Sequence, residues 1–186
     1  MDDLSSLIDK AQEGDKDAFG QIYQLFYKRI YRYCRYNTRD QIIAQDLCQE
    51  TFLRAWRSIS GFSHNKGGSF QAYLFKIAHN LIVDLSRKKK EVSINFYEDT
   101  LETDQNLDEN IQRQEDIKKI RSALSKLEQK ERQIVVLRYF EEMTSAEVAR
   151  ILKIHEGALR VRTHRILKKL KDVLQGIKWL KINLKI

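Results

Sequence analysis

Proline is absent from these 186 residues. Its ring removes a backbone donor and clashes with the preceding turn of a helix, so a chain without it is free to form long uninterrupted helices, and no domain boundary is marked by it. Cysteine occurs only as Cys34 and Cys48, with no Cys-x-x-Cys pair. That excludes a disulfide framework and a thiolate zinc site and fits a reduced, cytoplasmic compartment. The histidines His64, His79, His155 and His164 lack metal-ligand spacing, and His155-Glu156 is not followed by a second histidine three residues on. Lys66-Gly-Gly-Ser69 lacks the leading glycine and the Gly-Lys-Ser/Thr order of a phosphate loop, so it reads as a turn. Neither a cofactor nor a catalytic constellation is expected. No apolar run approaches the roughly 20 residues of a membrane span, and no charged-then-apolar signal opens the chain.

What is present is apolar sequence at helical spacing and an uneven charge. The hydrophobic fraction of 42% is ordinary for a globular protein, and its residues recur at steps of three and four, which predicts an all-α fold of two small helical domains. Between Glu91 and Asp116, nine acids (Glu91, Glu98, Asp99, Glu102, Asp104, Asp108, Glu109, Glu115, Asp116) face Arg113 alone, a local charge of −8. With a total of +8, the remainder carries +16. Two basic bodies joined by an acidic strap are what a protein lying on a polyanion needs, because lysine and arginine displace counterions from phosphates. A soluble protein with many surface lysines is the plainer alternative on charge alone.

The periodicity predicts a helix over about Asp17 to Tyr36, with Phe19, Ile22, Tyr23, Phe26, Ile30 and Tyr33 on its apolar face. A second runs from about Asp40 to Ser58, burying Ile43, Leu47, Thr51 and Ala55. A loop, Ser60 to Gly68, leads to Ser69 as the cap of a third helix to about Lys88, with Leu74, Ile77, Ala78, Leu81 and Leu85 inward. Residues 91–112 are acidic and aperiodic, a linker between a domain over 1–90 and another over 113–174. In the second domain, helices over Ile111–Leu127 and Glu128–Phe140 precede a helix-turn-helix: Thr144 or Ser145 as N-cap, Lys153-Ile-His155 as the turn, and Glu156 to about Leu174 as the long helix. There Leu159, Thr163, Ile166 and Leu170 face the core, while Arg160, Val161, His164, Arg165 and Lys168 occupy the opposite side, as a helix entering a major groove requires. Arginine can donate two hydrogen bonds to guanine, worth about 1–3 kcal/mol of discrimination per pair.

Two further segments complete a pattern: Asp46-Leu-Cys-Gln-Glu-Thr-Phe-Leu-Arg-Ala-Trp56 and Gly68-Ser-Phe-Gln-Ala-Tyr-Leu-Phe-Lys-Ile-Ala-His-Asn80. With the helix-turn-helix, they resemble regions 2 and 4 of the small sigma factors of bacterial RNA polymerase, those of the extracytoplasmic-function type. The resemblance runs from about Asp15 to Leu174. Gly157-Ala-Leu-Arg-Val-Arg-Thr-His-Arg165 is similar to the family's Gly-Thr-Val-Lys-Ser-Arg-Leu-x-Arg, with Leu127-Glu-Gln-Lys-Glu-Arg132 and Ser145-Ala-Glu-Val-Ala149 in their expected places. It implies that Arg160, Val161, His164 and Arg165 face bases of the minus-35 element, and that Arg162, Lys168 and Thr144 or Ser145 contact phosphates. Val161 replaces a common serine, which leaves the recognised sequence open, and Thr163 replaces an apolar residue.

Asp46, Gln49 and Glu50 share one helical face. The family carries Asp-Leu-x-Gln-Glu-x-Phe here and docks it on the β′ clamp coiled coil, so the resemblance makes Asp46, Gln49, Glu50, Phe52 and Trp56 the polymerase-binding surface, with the β flap as a second polymerase contact. The loop from Gly61 to Ser69 and the helix after it look like the regions that open the duplex and hold the minus-10 element. Phe62, His64, Asn65 and Lys66 would line a pocket for an unstacked base, and Lys76, His79, Asn80 and Arg87 would lie on the exposed side of the helix. Phe70, Tyr73 and Phe75 are assigned to the core, Tyr73 standing where the family usually has tryptophan.

The resemblance implies a non-enzymatic initiation factor that works with core RNA polymerase and promoter DNA, double- and single-stranded. An anti-sigma partner is expected, which in some members holds the protein at the membrane. A helix-turn-helix regulator acting without polymerase, and a polymerase-binding inhibitor, are the rival readings. By likeness to linkers in the family, the acidic strap threads near the nascent-RNA path. The tail, residues 175–186, lies beyond the resemblance. Its broad apolar surface, with Lys178, Lys181 and Lys185 in one stripe, either packs on its own chain, docks a partner or touches a membrane surface.

Overall fold

The computed structural model describes residues 3–38, 40–63, 68–91, 119–120 and 122–173. Among the described residues there is no strand, and no helix is long and apolar enough to cross a membrane. The chain divides into two compact units, Met1–Tyr97 and Glu98–Ile186.

Among its described residues the first unit is a bundle of four α-helices: α1 (Leu4–Gln12), α2 (Lys16–Thr38), α3 (Gln41–Ser58) and α4 (Phe70–Glu91). Helix α1 was not anticipated, although Leu7, Ile8 and Ala11, all buried, follow the helical step. Gly14 ends it at φ 96°, a left-handed conformation that glycine adopts without a Cβ clash. Asp15 then starts α2, its carboxylate accepting from the backbone N–H groups of Asp17 (2.8 Å) and Ala18 (3.0 Å). Ala18, Ile22, Phe26, Ile30 and Tyr33 form the buried stripe of α2.

Asp40 caps α3 by accepting from Ile43 N–H at 2.9 Å. The buried side of α3 differs from the expected one. Ala44, Cys48, Thr51, Phe52 and Ala55 are buried, whereas Ile43 and Leu47 are only half-buried at the edge of the seam. Small side chains at three of these positions allow close approach of the facing helix, which a run of branched residues would hold off. Ser69 caps α4 as expected, accepting from Ala72 N–H at 3.2 Å. Leu74, Phe75, Ala78, Leu81 and Ile82 then enter the core, with Ile77 and Leu85 half-buried beside them. Each fully buried large side chain here contributes about 1.5–3 kcal/mol.

The second unit has α5 (Gln129–Val135), α6 (Ser145–Leu152) and α7 (Glu156–Val173), preceded by helical residues at 119–120 and 122–125. Helix α5 runs into a wider π-type turn, Val136–Phe140, in which Glu141 N–H reaches Val136 O at 3.0 Å. Arg138 donates to the Met143 carbonyl and holds the next corner. Thr144, not Ser145, is the N-cap of α6. Its hydroxyl accepts from Glu147 N–H at 3.2 Å, while Glu147 accepts from Thr144 N–H at 2.9 Å, a reciprocal capping box. The turn to α7 passes through Lys153 in the left-handed region (φ 53°, ψ 46°), a conformation costing a non-glycine residue about 1 kcal/mol. The linker over 91–112 and the tail over 175–186 lie outside the described residues, apart from the end of α4 at Glu91.

Candidate functional site

Helix α7 presents two faces. Leu159, Ile166 and Leu170 are buried, and half-buried Thr163 lies on the same face, its hydroxyl donating to Leu159 O at 2.8 Å, one turn back. Arg160, Val161, Arg162, His164, Arg165 and Lys168 are all exposed. Arg160 pairs with Glu156 at 3.1 Å, with both side chains in solvent, so this contact holds the guanidinium weakly and leaves it available. Val161, half-exposed at 52%, is an apolar contact between cations. Lys169 reaches Glu131 at 2.5 Å, tying α7 to α5. Thr144 is exposed and Ser145 half-buried at the start of α6, although the Thr144 hydroxyl is already engaged by Glu147.

A buried arginine supports this arrangement. Arg132 is 5% exposed, and it donates through Nε to Leu124 O (2.8 Å) and through Nη2 to Leu127 O (2.8 Å). It caps the carbonyl end of the helical stretch before α5 and locks the entry to the helix-turn-helix. The sequence analysis gave Arg132 no role beyond its place in the Leu127–Arg132 match; the fixed acceptors come from the structure.

On α3, Asp46 and Gln49 are exposed, and Glu50 is half-buried with its carboxylate against Arg54 Nε at 2.7 Å. Phe52 requires a correction. It is 4% exposed, its ring 4.7 Å from that of Tyr23, so it packs into the seam between α2 and α3 and is not laid out on the surface beside Asp46 and Gln49. Six residues past Asp46, its position on the helix turns it toward α2. Trp56 is half-buried against Phe19 at 5.0 Å. The residues that do share the outer strip with Asp46 and Gln49 are Ile42 (71% exposed) and Leu53 (43%), which the polar motif had hidden. Lys16, Phe19, Phe52, Leu53 and Trp56 line an open, mostly apolar hollow of about 320 Å³ beside it.

Phe62 follows a short 3-10 turn (Ile59–Gly61) and is half-buried against Phe70 (5.1 Å) and Tyr73 (5.2 Å). Gln12 fixes this corner from α1, donating to Ile59 O (2.9 Å) and Phe62 O (2.7 Å). Phe70 and Phe75 are core, while Tyr73 is half-buried and shares its hydroxyl with Ser58 at 2.7 Å. His64, Asn65 and Lys66 lie outside the described residues. On α4, Lys76 and Arg87 are exposed and Asn80 is half-buried, Arg87 pairing with Asp84 at 3.5 Å. His79 is the second correction: at 8% exposure it is buried, because it stands one turn after Phe75 and three residues before Ile82, on the core stripe. Val83, 45% exposed, takes the place on the outer face next to Lys76 and Arg87.

Residues 22–92 match the sequence profile of Sigma-70 region 2, and residues 117–170 match that of Sigma-70 region 4. Across both, the chain is 30% identical over 173 residues to the extracytoplasmic-function (ECF) RNA polymerase sigma factor SigW of Bacillus subtilis, covering 87% of this chain and 91% of that one. The chain belongs to the ECF sigma factors. ECF sigma factor BldN of Streptomyces coelicolor is 32% identical over 174 residues, 92% of this chain but 66% of the relative, so the chain spans about two thirds of BldN's length. Among solved structures, CnrH in complex with the cytosolic domain of CnrY is similar at 25% identity and a TM-score of 0.66, over 92% of this chain and 97% of that one. The sigma factor RpoE from Bartonella quintana, solved with the anti-sigma factor NepR, shares the fold at 21% identity and a TM-score of 0.73, over 88% and 100%. Region 2 begins at residue 22, so α1 and its Gln12 contacts are this sigma factor's support for the region and lie ahead of the matched stretch.

Proposed function

We propose that this sigma factor binds core RNA polymerase through the first unit, directs it to promoters through both units, and promotes melting at the start site. The observation that carries the reading is the exposed cationic column of α7, Arg160, Arg165 and Lys168, standing behind a capped helix and a tight turn within the region 4 match. In this reading Arg160, Val161, His164 and Arg165 read bases of the minus-35 element, and Arg162, Lys168 and Ser145 meet phosphates. The strip of Asp46, Gln49 and Glu50, with Ile42, Leu53 and the rim of Trp56, docks the β′ clamp coiled coil. The polar centre flanked by exposed apolar ends supports this, because protein interfaces combine the two. Phe62, His64, Asn65 and Lys66, with Lys76, Asn80 and Arg87, hold the minus-10 element.

Residues 1–90 serve as the polymerase-binding and minus-10 unit and residues 113–174 as the minus-35 unit, joined by the acidic linker over 91–112. The second unit also meets the β flap. CnrH is solved with CnrY and RpoE with NepR; by that likeness an anti-sigma factor holds this protein in the cytoplasm, or at the membrane, until released. The test is run-off transcription from genomic DNA with reconstituted core enzyme. Discrete start sites sharing paired upstream motifs are expected. Duplex binding without core-dependent transcripts would instead favour a polymerase-free regulator, and inhibition of transcription by another sigma factor without any new start sites would favour an inhibitor.

A further inference from the structure

Helix α2 carries a face that none of these roles uses. From Ala18 to Thr38 it contains no carboxylate, yet it bears Lys28, Arg29, Arg32 and Arg35. Lys28 and Arg32 are exposed, and together with half-buried Arg35 they form one column at steps of four and three, none of them ion-paired among the described residues. Arg35 Nη1 is buried without an acceptor. A buried guanidinium N–H without a partner is unfavourable; this atom is out of reach from solvent, so the exposed Lys28 and Arg32 are the cations that an incoming anion meets first.

Beside this column runs a second one of aromatic rings. Tyr23, Tyr27 and Tyr31 stand at steps of four, with ring centroids 5.2 Å apart for the first pair and 6.0 Å for the second, the latter pair nearly parallel at 12°. None of the three is buried, Tyr23 being 36% exposed. The α-helix rises about 1.5 Å per residue, so the tyrosines repeat about every 6 Å along the axis and the cations follow at about 6 and 4.5 Å. Duplex DNA advances about 3.4 Å per nucleotide. Rings spaced at 6 Å therefore suit bases drawn apart in an extended single strand, with the neighbouring cations following its phosphates.

We propose that the outer face of α2 binds single-stranded nucleic acid through Lys28, Arg32 and Arg35 on the backbone and Tyr27 and Tyr31 under the bases. Its residues belong neither to α7 nor to the corner around Phe62. It stands apart from the function proposed above, since an oligothymidine carries no promoter element and needs no polymerase.

The test is fluorescence anisotropy of the full chain with a labelled oligothymidine of about twelve nucleotides, within the length that single-strand folds occupy. Lys28→Gln with Arg32→Gln alters two exposed side chains and should preserve the fold. Affinity at low salt is expected to fall at least tenfold, and the slope of log affinity against log salt to flatten by about 1.4, near 0.7 per lost cation. Tyr27→Leu with Tyr31→Leu is expected to weaken binding at least tenfold with the salt slope unchanged, which separates stacking from charge. Binding by the Lys28/Arg32 variant within twofold of wild type would overturn the proposal, whatever the tyrosine variant does. Equal competition by oligoglutamate of the same charge would overturn it in favour of an acidic protein surface.

Discussion

Replacing Arg132 by methionine keeps the apolar stem and removes the guanidinium that ties the start of the second unit together. The side chain is 5% exposed and makes two hydrogen bonds of 2.8 Å, to Leu124 O and Leu127 O. Hydrogen bonds from a charged donor contribute about 1.5–3 kcal/mol each. Their gross value is offset in part because methionine no longer has a cation to desolvate, which leaves an expected loss of about 2–4 kcal/mol. At about 1.4 kcal/mol per factor of ten, the opening equilibrium of this unit rises about 30- to 1000-fold. Hydrogen exchange measured by mass spectrometry on the full chain reads this directly. Amides of Gln129–Val135 and Glu156–Val173 should lose protection by that factor, while those of α2 to α4 keep theirs. A loss below about threefold would show that solvent replaces the guanidinium at little cost, and the reasoning would fail. An equal loss in both units would show that they do not unfold separately.

Three further outcomes are expected. Asp46→Ala with Gln49→Ala should weaken binding to core enzyme by at least tenfold with the melting temperature unchanged, since both side chains are exposed; a pull-down with the β′ clamp checks it. Arg160→Ala and Arg165→Ala should each relax base choice by about 1–3 kcal/mol at one upstream position, whereas Lys168→Ala weakens binding across all sequences and flattens its salt slope by about 0.9; selection from a promoter library distinguishes the two patterns. Burial pushes the Cys48 thiol up to about 12 and raises that of Cys34 further, so neither should react with a thiol reagent at neutral pH until the first unit unfolds. The native state keeps these protons while the unfolded chain loses them above its ordinary value near 9, so their contribution is intact below pH 9 and lost as pH rises from 9 toward 12. A denaturation midpoint that rose over that range would contradict it.

The helix-turn-helix was legible almost residue by residue. Its core and outer faces repeat at the helical step, its cap is a threonine followed by glutamate three residues on, and its turn needed only one left-handed residue at Lys153. The motif-based assignments erred where a functional pattern overlaps a packing stripe. Phe52 sits inside the polar docking motif and His79 was grouped with Lys76 and Asn80, yet helical geometry turns each toward the core. The corrections follow from counting steps from a known core residue: Phe52 stands one residue after buried Thr51 and four after Cys48, and His79 stands four after Phe75. Exposed Ile42, Leu53 and Val83 escaped notice for the opposite reason, since apolar residues are assigned inward by default. Helix α1 was missed because it precedes the family resemblance, and the role of Arg132 because its partners are backbone carbonyls, which sequence does not distinguish.

The central claim is that one molecule uses the α3 strip for polymerase and the α7 face for DNA at the same promoter. Run-off transcription with core enzyme tests it with two full-length variants, Asp46→Ala with Gln49→Ala and Arg160→Ala with Arg165→Ala, assayed singly and mixed. Each alone should give less than about a tenth of the wild-type transcript, consistent with losses of 1.4 kcal/mol or more per site, and the mixture should do no better than the more active of the two. Restoration of transcription by mixing would contradict the account, because it would mean that the polymerase contact and the promoter contact can be supplied by different molecules.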